Sequence, residues 1–599
     1  MSVKKITSAA KLSVRIAVIT IASLLFNRYT AFLLGVYIYS LTVLLLGGLG
    51  GVLQVTEIKS LMLFHLDEVR GVYMVPEYWE LLLLVYLYAY FNMILRPFRY
   101  RALLAAVPLL LAYLGQDIYF LMYSNVFRVA ELSEVPELLG VLSWPYLLLL
   151  AVFVLLPLGC FFSLINYRKP LVILAGAIPL AVVIGAVLYF PGKYIDCYNK
   201  VGQKIVFWSD AVSAVNNGRF MMLLYREAER QVSRSKTKTF HNREQYRKKN
   251  ERFAQWIAAN STRRNVHLVV LESFLDPTLF KKASFNKDPF HPEFRQLFTN
   301  KLGLSISPVV GGKTSQAEFE ILCGVPAFEE VAGMEFNTFT GAAAYCMPGK
   351  LQLAGYQTMA SNAYNPSFFN TTSAYQGIGF DTIYFPREYV SGGETYIVRG
   401  DTTDEMQYMF DGELFDQNLD FIAPLLRRKN GPPLFNYVLT VYGHFPHLIN
   451  EKKRPLVIRM HAAFKDAQLE RSANQIYYRS QAIAGYIRRL LKLDPDSLII
   501  LVSDHLPPGQ HGRKSFQKLR YLNNDPDSLH MNRIMIVEGG KMKKYGIMHH
   551  YDVPSVIYNS ITNGAYCKVY SCGFIDNRLL DDRMSRHDDY MEIMAHAAE

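Results

Sequence analysis

Apolar residues follow two different patterns along this 599-residue chain. Up to residue 190 they come in long blocks, at 30–54, 79–95, 102–122, 142–164 and 170–190. Each is near the ~20 apolar residues that cross a bilayer as a helix. An earlier block, 11–26, is shorter and carries Lys11 and Arg15. No small-residue cleavage site follows it before Asn27-Arg28, so it reads as an interfacial helix rather than a signal peptide. Beyond residue 264 the apolar runs shorten. Val266 to Leu271, 434–441 and 497–502 read as buried parallel strands, and 472–492 between the last two reads as a helix. Strands alternating with helices predict a doubly wound α/β domain. Ligands in such sheets gather at the carboxyl ends of the strands.

Charge orients the membrane blocks. Arg96, Arg99 and Arg101 crowd one short loop, and Arg168 and Lys169 another. The alternate loops are acidic, with Glu57, Asp67, Glu68 and Glu77 in one and Glu131, Glu134 and Glu137 in the other. Basic residues stay on the cytoplasmic side. Five spans from a cytoplasmic N-terminus satisfy every loop, whereas a sixth span at 11–26 would break every later one. The expected layout is a five-helix membrane domain at 1–190, a juxtamembrane linker at 191–264 and an extracytoplasmic domain at 265–599.

The composition fits that division. The chain is 51% hydrophobic and 19% charged, which excludes a disordered or fibrous protein. Its net charge is +12, and most of that lies in the linker. Between Arg219 and Arg264, thirteen Lys and Arg face four Glu. Such a collar suits anionic headgroups, at about 1 kcal/mol per basic residue near the surface. The alternative is a solvated helix face. Nucleic acid is not expected as a partner, because the segment faces the wrong compartment.

Candidate chemistry sits at the predicted strand ends. Glu272 follows the first strand, His444 follows Thr440-Val-Tyr-Gly443, and Asp504-His505 follows Val502-Ser503. Gly311-Gly312-Lys313-Thr314-Ser315 reads as a glycine loop opening a helix, where backbone N–H groups attract phosphate. Two carboxylates and an imidazole suit a divalent metal. That metal would lower the pKa of the Thr314 hydroxyl and make it a nucleophile for a phosphoryl group.

Asn265–Phe274, Gly311–Phe319 and Ser503–His505 together resemble the lipoteichoic-acid-synthase-like branch of the sulfatase and alkaline-phosphatase superfamily. The resemblance implies a multi-span α-helical membrane domain followed by a sulfatase-like α/β domain. It implies that Glu272, Thr314, Asp504 and His505 hold one divalent metal, Mn²⁺ or Zn²⁺, with Thr314 as nucleophile. His444 would serve the substrate phosphate, and Lys313, Asn362 and His511 are further candidates for substrate binding. The expected activity takes the headgroup of a phospholipid, usually phosphatidylglycerol, to a periplasmic or cell-envelope glycan or glycolipid through a phospho-threonine. The expected location is the bacterial inner membrane with a periplasmic catalytic domain.

The chain departs from that pattern in places. After Gly355-Tyr356-Gln357-Thr358, the family's substrate-touching His and Arg align with Asn362 and Thr371. Cys323-Gly324-Val325-Pro326, Cys346 and Ser503-Asp504-His505-Leu506 are more similar to the phosphoglycerol transferases of periplasmic glucans. Phosphoethanolamine transferases usually carry Glu-Ser-x-Arg, where this chain has Glu272-Ser273-Phe274-Leu275. Phosphoethanolamine transfer and a catalytically silent glycan- or partner-binding protein are the alternatives.

Other signals are set aside. Cys346-Met347-Pro348-Gly349-Lys350 lacks the arginine of the sulfatase formylglycine motif, and Lys313-Thr314 lacks P-loop spacing. Cys160 lies inside an expected span. Outside the membrane lie Cys197, Cys323, Cys346, Cys567 and Cys572, with at least one disulfide expected; Cys567–Cys572 would close a short loop and Cys323–Cys346 could pin the segment after Thr314, and the odd count leaves one cysteine over. Five free thiols are the alternative. His549 and His550 read as structural.

Overall fold

The computed structural model describes residues 78–123, 127–129, 148, 151–202, 205–206, 213–214, 217–298, 302–363, 368–385, 408–428, 430–576, 578–579 and 582–599. The block at 11–26 and the expected span at 30–54 lie outside them, as does most of 142–150. The chain forms two compact units, one ending at Glu229 and one running on from Arg230.

In the first unit the expected spans at 79–95, 102–122 and 170–190 are the helices Tyr78–Ile94, Arg101–Tyr123 and Pro170–Tyr189. Within 142–164, a π-helical turn at Ala151–Leu155 leads into the helix Leu156–Ser163. Among the described residues, one helix is long and apolar enough to cross a membrane, Pro170–Tyr189, with a mean hydropathy of 2.8. The first helix is 17 residues, and the apolar stretch of the second runs only from Arg101 to Tyr113. Glu80 is buried and takes the backbone N–H of Phe220 at 3.3 Å and of Met221 at 3.2 Å. It thereby supplies the acceptors that the start of the helix Arg219–Thr237 lacks within itself.

The second unit begins earlier than the sequence suggests. The helix Arg243–Asn260 buries Tyr246, Asn250, Ala254 and Ile257. Its Lys249 lies 2.7 Å from both Asp589 and Glu592. Arg247 pairs with Glu251, Lys248 with Glu244, and Arg264 with Glu538. Part of the basic surplus is therefore neutralised within this unit, and this half of the expected linker packs as part of the domain.

The core of the unit is one mixed sheet built from β1 (Val266–Leu271), β3 (Gly303–Ile306), β4 (Gln357–Asn362), β5 (Thr382–Tyr384), β6 (Leu434–Leu439), β8 (Leu498–Ser503), β9 (Met531–Glu538), β10 (Lys541–Lys543) and β11 (Met548–His549). The spatial order is β11-β3-β9-β8-β1-β6-β4-β5, with β10 against β9. A separate ribbon pairs β2 (Ser284–Phe285) with β7 (Met460–His461). The three strands expected from apolar runs are β1, β6 and β8, and they lie side by side. β1 runs parallel to both neighbours, with Val266 opposite Phe435 on one side and Leu498 on the other. Every residue of the three is buried, which explains the unbroken runs. β9 enters antiparallel to both β8 and β3, so the sheet is mixed rather than wholly parallel. The helix expected at 472–492 spans Ala467–Leu493, starting where Asp466 accepts the Leu469 N–H at 2.9 Å.

Both suggested disulfides are present, Cys323–Cys346 and Cys567–Cys572, while Cys160 and Cys197 are free. Cys323 ends the helix that starts at Thr314, and Cys346 precedes the helix Met347–Leu353. With a sequence separation of 23, loop closure in the unfolded chain is worth about 3 kcal/mol. Converting both cysteines to alanine is expected to lower the melting temperature by that equivalent, and reductant is expected to lower the wild type by more than the double variant, which keeps only Cys567–Cys572. A thermal melt with and without reductant checks both.

Candidate active site

Glu272 leaves the end of β1, Asp504 and His505 leave the end of β8, and Thr314 opens the helix Thr314–Cys323. All four are buried. Thr314 Oγ1 donates to Glu272 Oε2 at 3.0 Å and lies 3.4 Å from His505 Nε2. His505 Nε2 is 3.1 Å from Asp504 Oδ2 and 3.8 Å from Glu272 Oε1. The four residues singled out from sequence therefore meet at one point.

Local backbone makes this possible. Gly312 sits at φ 144°, a conformation that essentially only glycine adopts, and a Cβ there would meet nothing within 4 Å. The glycine loop is thus open on that side. Lys313 follows at φ 65° and puts Thr314 at the head of the helix. After β1 the chain turns at Ser273, φ 48°. The Ser273 N–H donates to Asp504 Oδ1 at 2.7 Å, and its hydroxyl donates to Glu272 Oε1 at 2.8 Å. Ser503 Oγ accepts the Phe274 N–H at 3.0 Å and the Asn532 side chain at 2.6 Å.

The cluster fits a divalent cation. His505 Nδ1 faces the Leu506 carbonyl at 3.0 Å, which leaves Nε2 free of its proton and facing the carboxylates. Asp504 Oδ2 is buried without a hydrogen bond. Burial pushes the Glu272 carboxyl up, but His505, His444, Ser273 and Thr314 outweigh it, and the net direction is down. Burial and the neighbouring Glu272 hold the Asp504 carboxyl well above its usual range. Burial holds the His505 imidazole below its usual value despite Glu272. Two carboxylates so close retain a proton that a cation would replace. Glu272, Asp504 and His505 form one of two such clusters among the described residues; the other is His241, His596 and Glu599.

The remaining candidates are placed as follows. His444 is half-buried, with Nδ1 2.6 Å from the Phe445 carbonyl and 3.1 Å from the Tyr408 hydroxyl. Asn362, the last residue of β4, is buried and donates to the Tyr375 hydroxyl at 3.2 Å. Lys313 Nζ lies 2.7 Å from Glu329, and His511 is exposed beside Phe464. Thr371 is buried at the head of the helix Thr371–Ile378. Ser273, Ser503 and Asn532 were not expected from sequence. Their types carry no signal by themselves, and only the backbone turn after β1 brings them in.

The helix behind Thr314 carries its own buried acids. Burial raises Glu318 to about 7 and Glu320 to about 8, and nearby Glu335 to about 7. Glu318 accepts from Tyr437 at 2.6 Å and from Tyr375 at 2.5 Å. Glu320 accepts the Ala327 N–H at 3.0 Å. In the unfolded chain these groups titrate near 4.5. Their contribution to stability is therefore whole below about pH 4.5 and is lost as pH rises through 7 to 8. Glu320→Gln keeps the Ala327 acceptor and removes the titration. It is expected to flatten the fall in melting temperature between pH 5 and pH 8, an effect on the order of 3 kcal/mol. Parallel melts of both proteins at the two pH values check this.

Comparison with known proteins identifies the domain. Residues 264–559 match the sulfatase family model. The chain is similar, at 24% identity over 260 residues, to a Rhizobium meliloti (strain 1021) protein named for cyclic beta-1,2-glucan modification. That match covers 42% of this chain and 37% of the relative. A second relative, an uncharacterized Haemophilus influenzae protein, is 23% identical over 31% of this chain and 34% of its own length. The matched region thus spans little more than a third of these relatives. Among solved structures the chain is similar to the lipoteichoic acid synthase LtaP from Listeria monocytogenes, at 18% identity and a TM-score of 0.39, covering 50% of this chain and 72% of that one. Residues 264–559 therefore form a domain that matches the sulfatase family.

Proposed function

We propose that this protein is a membrane-bound, metal-dependent phosphoglycerol transferase. In this reading it takes the headgroup of phosphatidylglycerol to a glycan or glycolipid of the cell envelope. The observation that carries it is the convergence of a hydroxyl, two carboxylates and an imidazole within 3.8 Å contacts in a buried site. When bound, a divalent cation held by Glu272, Thr314, Asp504 and His505 supplies Lewis acidity to the Thr314 oxygen and offsets phosphoryl charge. Mn²⁺ and Zn²⁺ both suit this donor set, carboxylates favouring the first and imidazole the second.

The chain's own groups do the rest. Glu272 Oε2 accepts the Thr314 hydroxyl hydrogen bond and so aims the oxygen lone pairs outward. Thr314 Oγ1 passes its proton toward Glu272 and attacks phosphorus; the P–O bond to diacylglycerol breaks, diacylglycerol leaves carrying a proton, and phosphoglycerol stays on the threonine. An acceptor hydroxyl then reverses the exchange. His444, at the flank of the site, contacts the headgroup phosphate. Two disulfides agree with an oxidising compartment outside the cytoplasm. The apolar helix Pro170–Tyr189 and the inside-positive loops agree with membrane anchoring, the domain facing the periplasm. The relative named for glucan modification agrees with a glycan acceptor.

Intact-protein mass spectrometry on detergent-purified protein tests the reading. Incubation with phosphatidylglycerol is expected to add about 154 Da to the protein as the covalent intermediate. An adduct of about 123 Da from phosphatidylethanolamine instead would establish phosphoethanolamine transfer. No adduct from either lipid, with metal bound, would leave the silent binding protein as the better reading.

A further inference from the structure

Arg479 lies in the middle of the helix Ala467–Leu493 and is completely buried, as is Asp411. Its Nε donates to Asp411 Oδ2 at 2.7 Å. Its two remaining arms go to the site: Nη1 donates to the Glu272 carbonyl at 2.8 Å, and Nη2 to Thr440 Oγ1 at 3.2 Å. The same Thr440 oxygen accepts the Glu272 N–H at 3.1 Å. Both backbone ends of Glu272 are therefore held from one guanidinium, one directly and one through a single hydroxyl.

The carbonyl of Glu272 and the N–H of Ser273 belong to one peptide unit. Arg479 holds its oxygen, and Asp504 Oδ1 accepts its hydrogen at 2.7 Å. A cation on the carbonyl strengthens donation from the N–H, because hydrogen bonds in a chain polarise one another. We propose that Arg479 is a positioning residue for the metal centre, acting through the Glu272–Ser273 peptide on the two carboxylates Glu272 and Asp504 at once. This inference rests on the metal-dependent reading above.

A purely stabilising role explains the arrangement less well. Burying an ion pair costs desolvation that attraction barely repays, and apolar residues of equal volume often serve stability better. The contacts are also tight on the opposite side. A Cβ at Gly443 would lie 2.0 Å from the Glu272 carbonyl oxygen and 2.1 Å from Arg479 Nη1. The turn that presents His444 thus closes over the same hydrogen bond, and only glycine fits there. A lysine at 479 has a single ammonium centre and cannot span the three acceptors.

The test is Mn²⁺ titration of the metal-stripped full-length protein in detergent, reading free Mn²⁺ by electron paramagnetic resonance. Arg479→Lys and Gly443→Ala are each expected to raise the Mn²⁺ Kd by about 10- to 100-fold. Tyr486→Phe is the control: it removes a buried hydrogen bond to Asn418, 2.8 Å, from the same helix without touching the peptide. It is expected to melt lower and to keep the wild-type Kd. Wild-type Kd in both Arg479→Lys and Gly443→Ala would overturn the proposal, as would an equal loss in Tyr486→Phe. If Arg479→Lys does not fold, Gly443→Ala decides. A wild-type protein that binds no Mn²⁺ or Zn²⁺ would overturn the metal-dependent reading itself, and this inference with it.

Discussion

Thr314→Ala is expected to form no lipid-derived adduct and to lose transfer by at least about 10⁴-fold, the scale seen when a nucleophile is removed from a covalent mechanism. Thr314 has a competitor. Ser273 also carries a hydroxyl on Glu272, 2.8 Å from Oε1 and 3.5 Å from His505 Nδ1. Ser273 is 1% exposed, whereas Thr314 is 8% exposed and stands at the mouth of the open glycine loop. Thr314 is the hydroxyl that a phosphate can reach. Ser273→Ala is therefore expected to keep the adduct, and Thr314→Ser to keep part of it, because the hydroxyl survives with more rotamer freedom. Intact mass and headgroup release on the three variants check this. An adduct on Thr314→Ala that disappears in Ser273→Ala would reassign the nucleophile.

Asp504→Asn is expected to weaken metal binding by more than about 100-fold, since it removes a ligand and not only its support. The metal-free protein is not expected to lose stability in proportion. Burial and Glu272 keep the Asp504 carboxyl protonated above its usual range, so a neutral amide resembles the state already present without metal. Binding a cation must release that proton, and affinity in the wild type is expected to climb as pH rises above the ordinary carboxylate range. The slope is expected to flatten in Asp504→Asn. Calorimetry in two buffers of different ionisation enthalpy counts the protons released. No proton release by wild type would contradict the assignment.

The parts of this fold legible in the sequence are those where burial is complete. β1, β6 and β8 are central, covered on both faces, and read as unbroken apolar runs. β4 is also central, yet its Thr358, Ser361 and Asn362 are buried polar residues that break the run. β9 alternates at its start, with Asn532 turned in toward Ser503, and was equally hidden. The four site residues were legible because each follows a strand end or a glycine loop. Arg479 was not: an arginine within a long helix looks like part of a solvated face, and only tertiary packing buries it. Lys313 and His511 are placed by features that the sequence does not carry. Lys313 lies in the glycine loop and His511 follows Pro-Pro-Gly-Gln; in the structure the Lys313 ammonium lies on Glu329, and His511 is exposed beside Phe464.

The order of strands also divides labour within the proposed enzyme. The residues that would do the chemistry come from the ends of the adjacent strands β1 and β8 and from the Thr314 helix. His444 and Asn362 come from beyond β6 and from the tip of β4, which lie on the far side of β1 from β8. For an engineer, the loop after β4 and the residues beyond Gly443 in the loop after β6 are the place to build a library for new headgroups, with Thr440 and Gly443 kept because they hold Glu272.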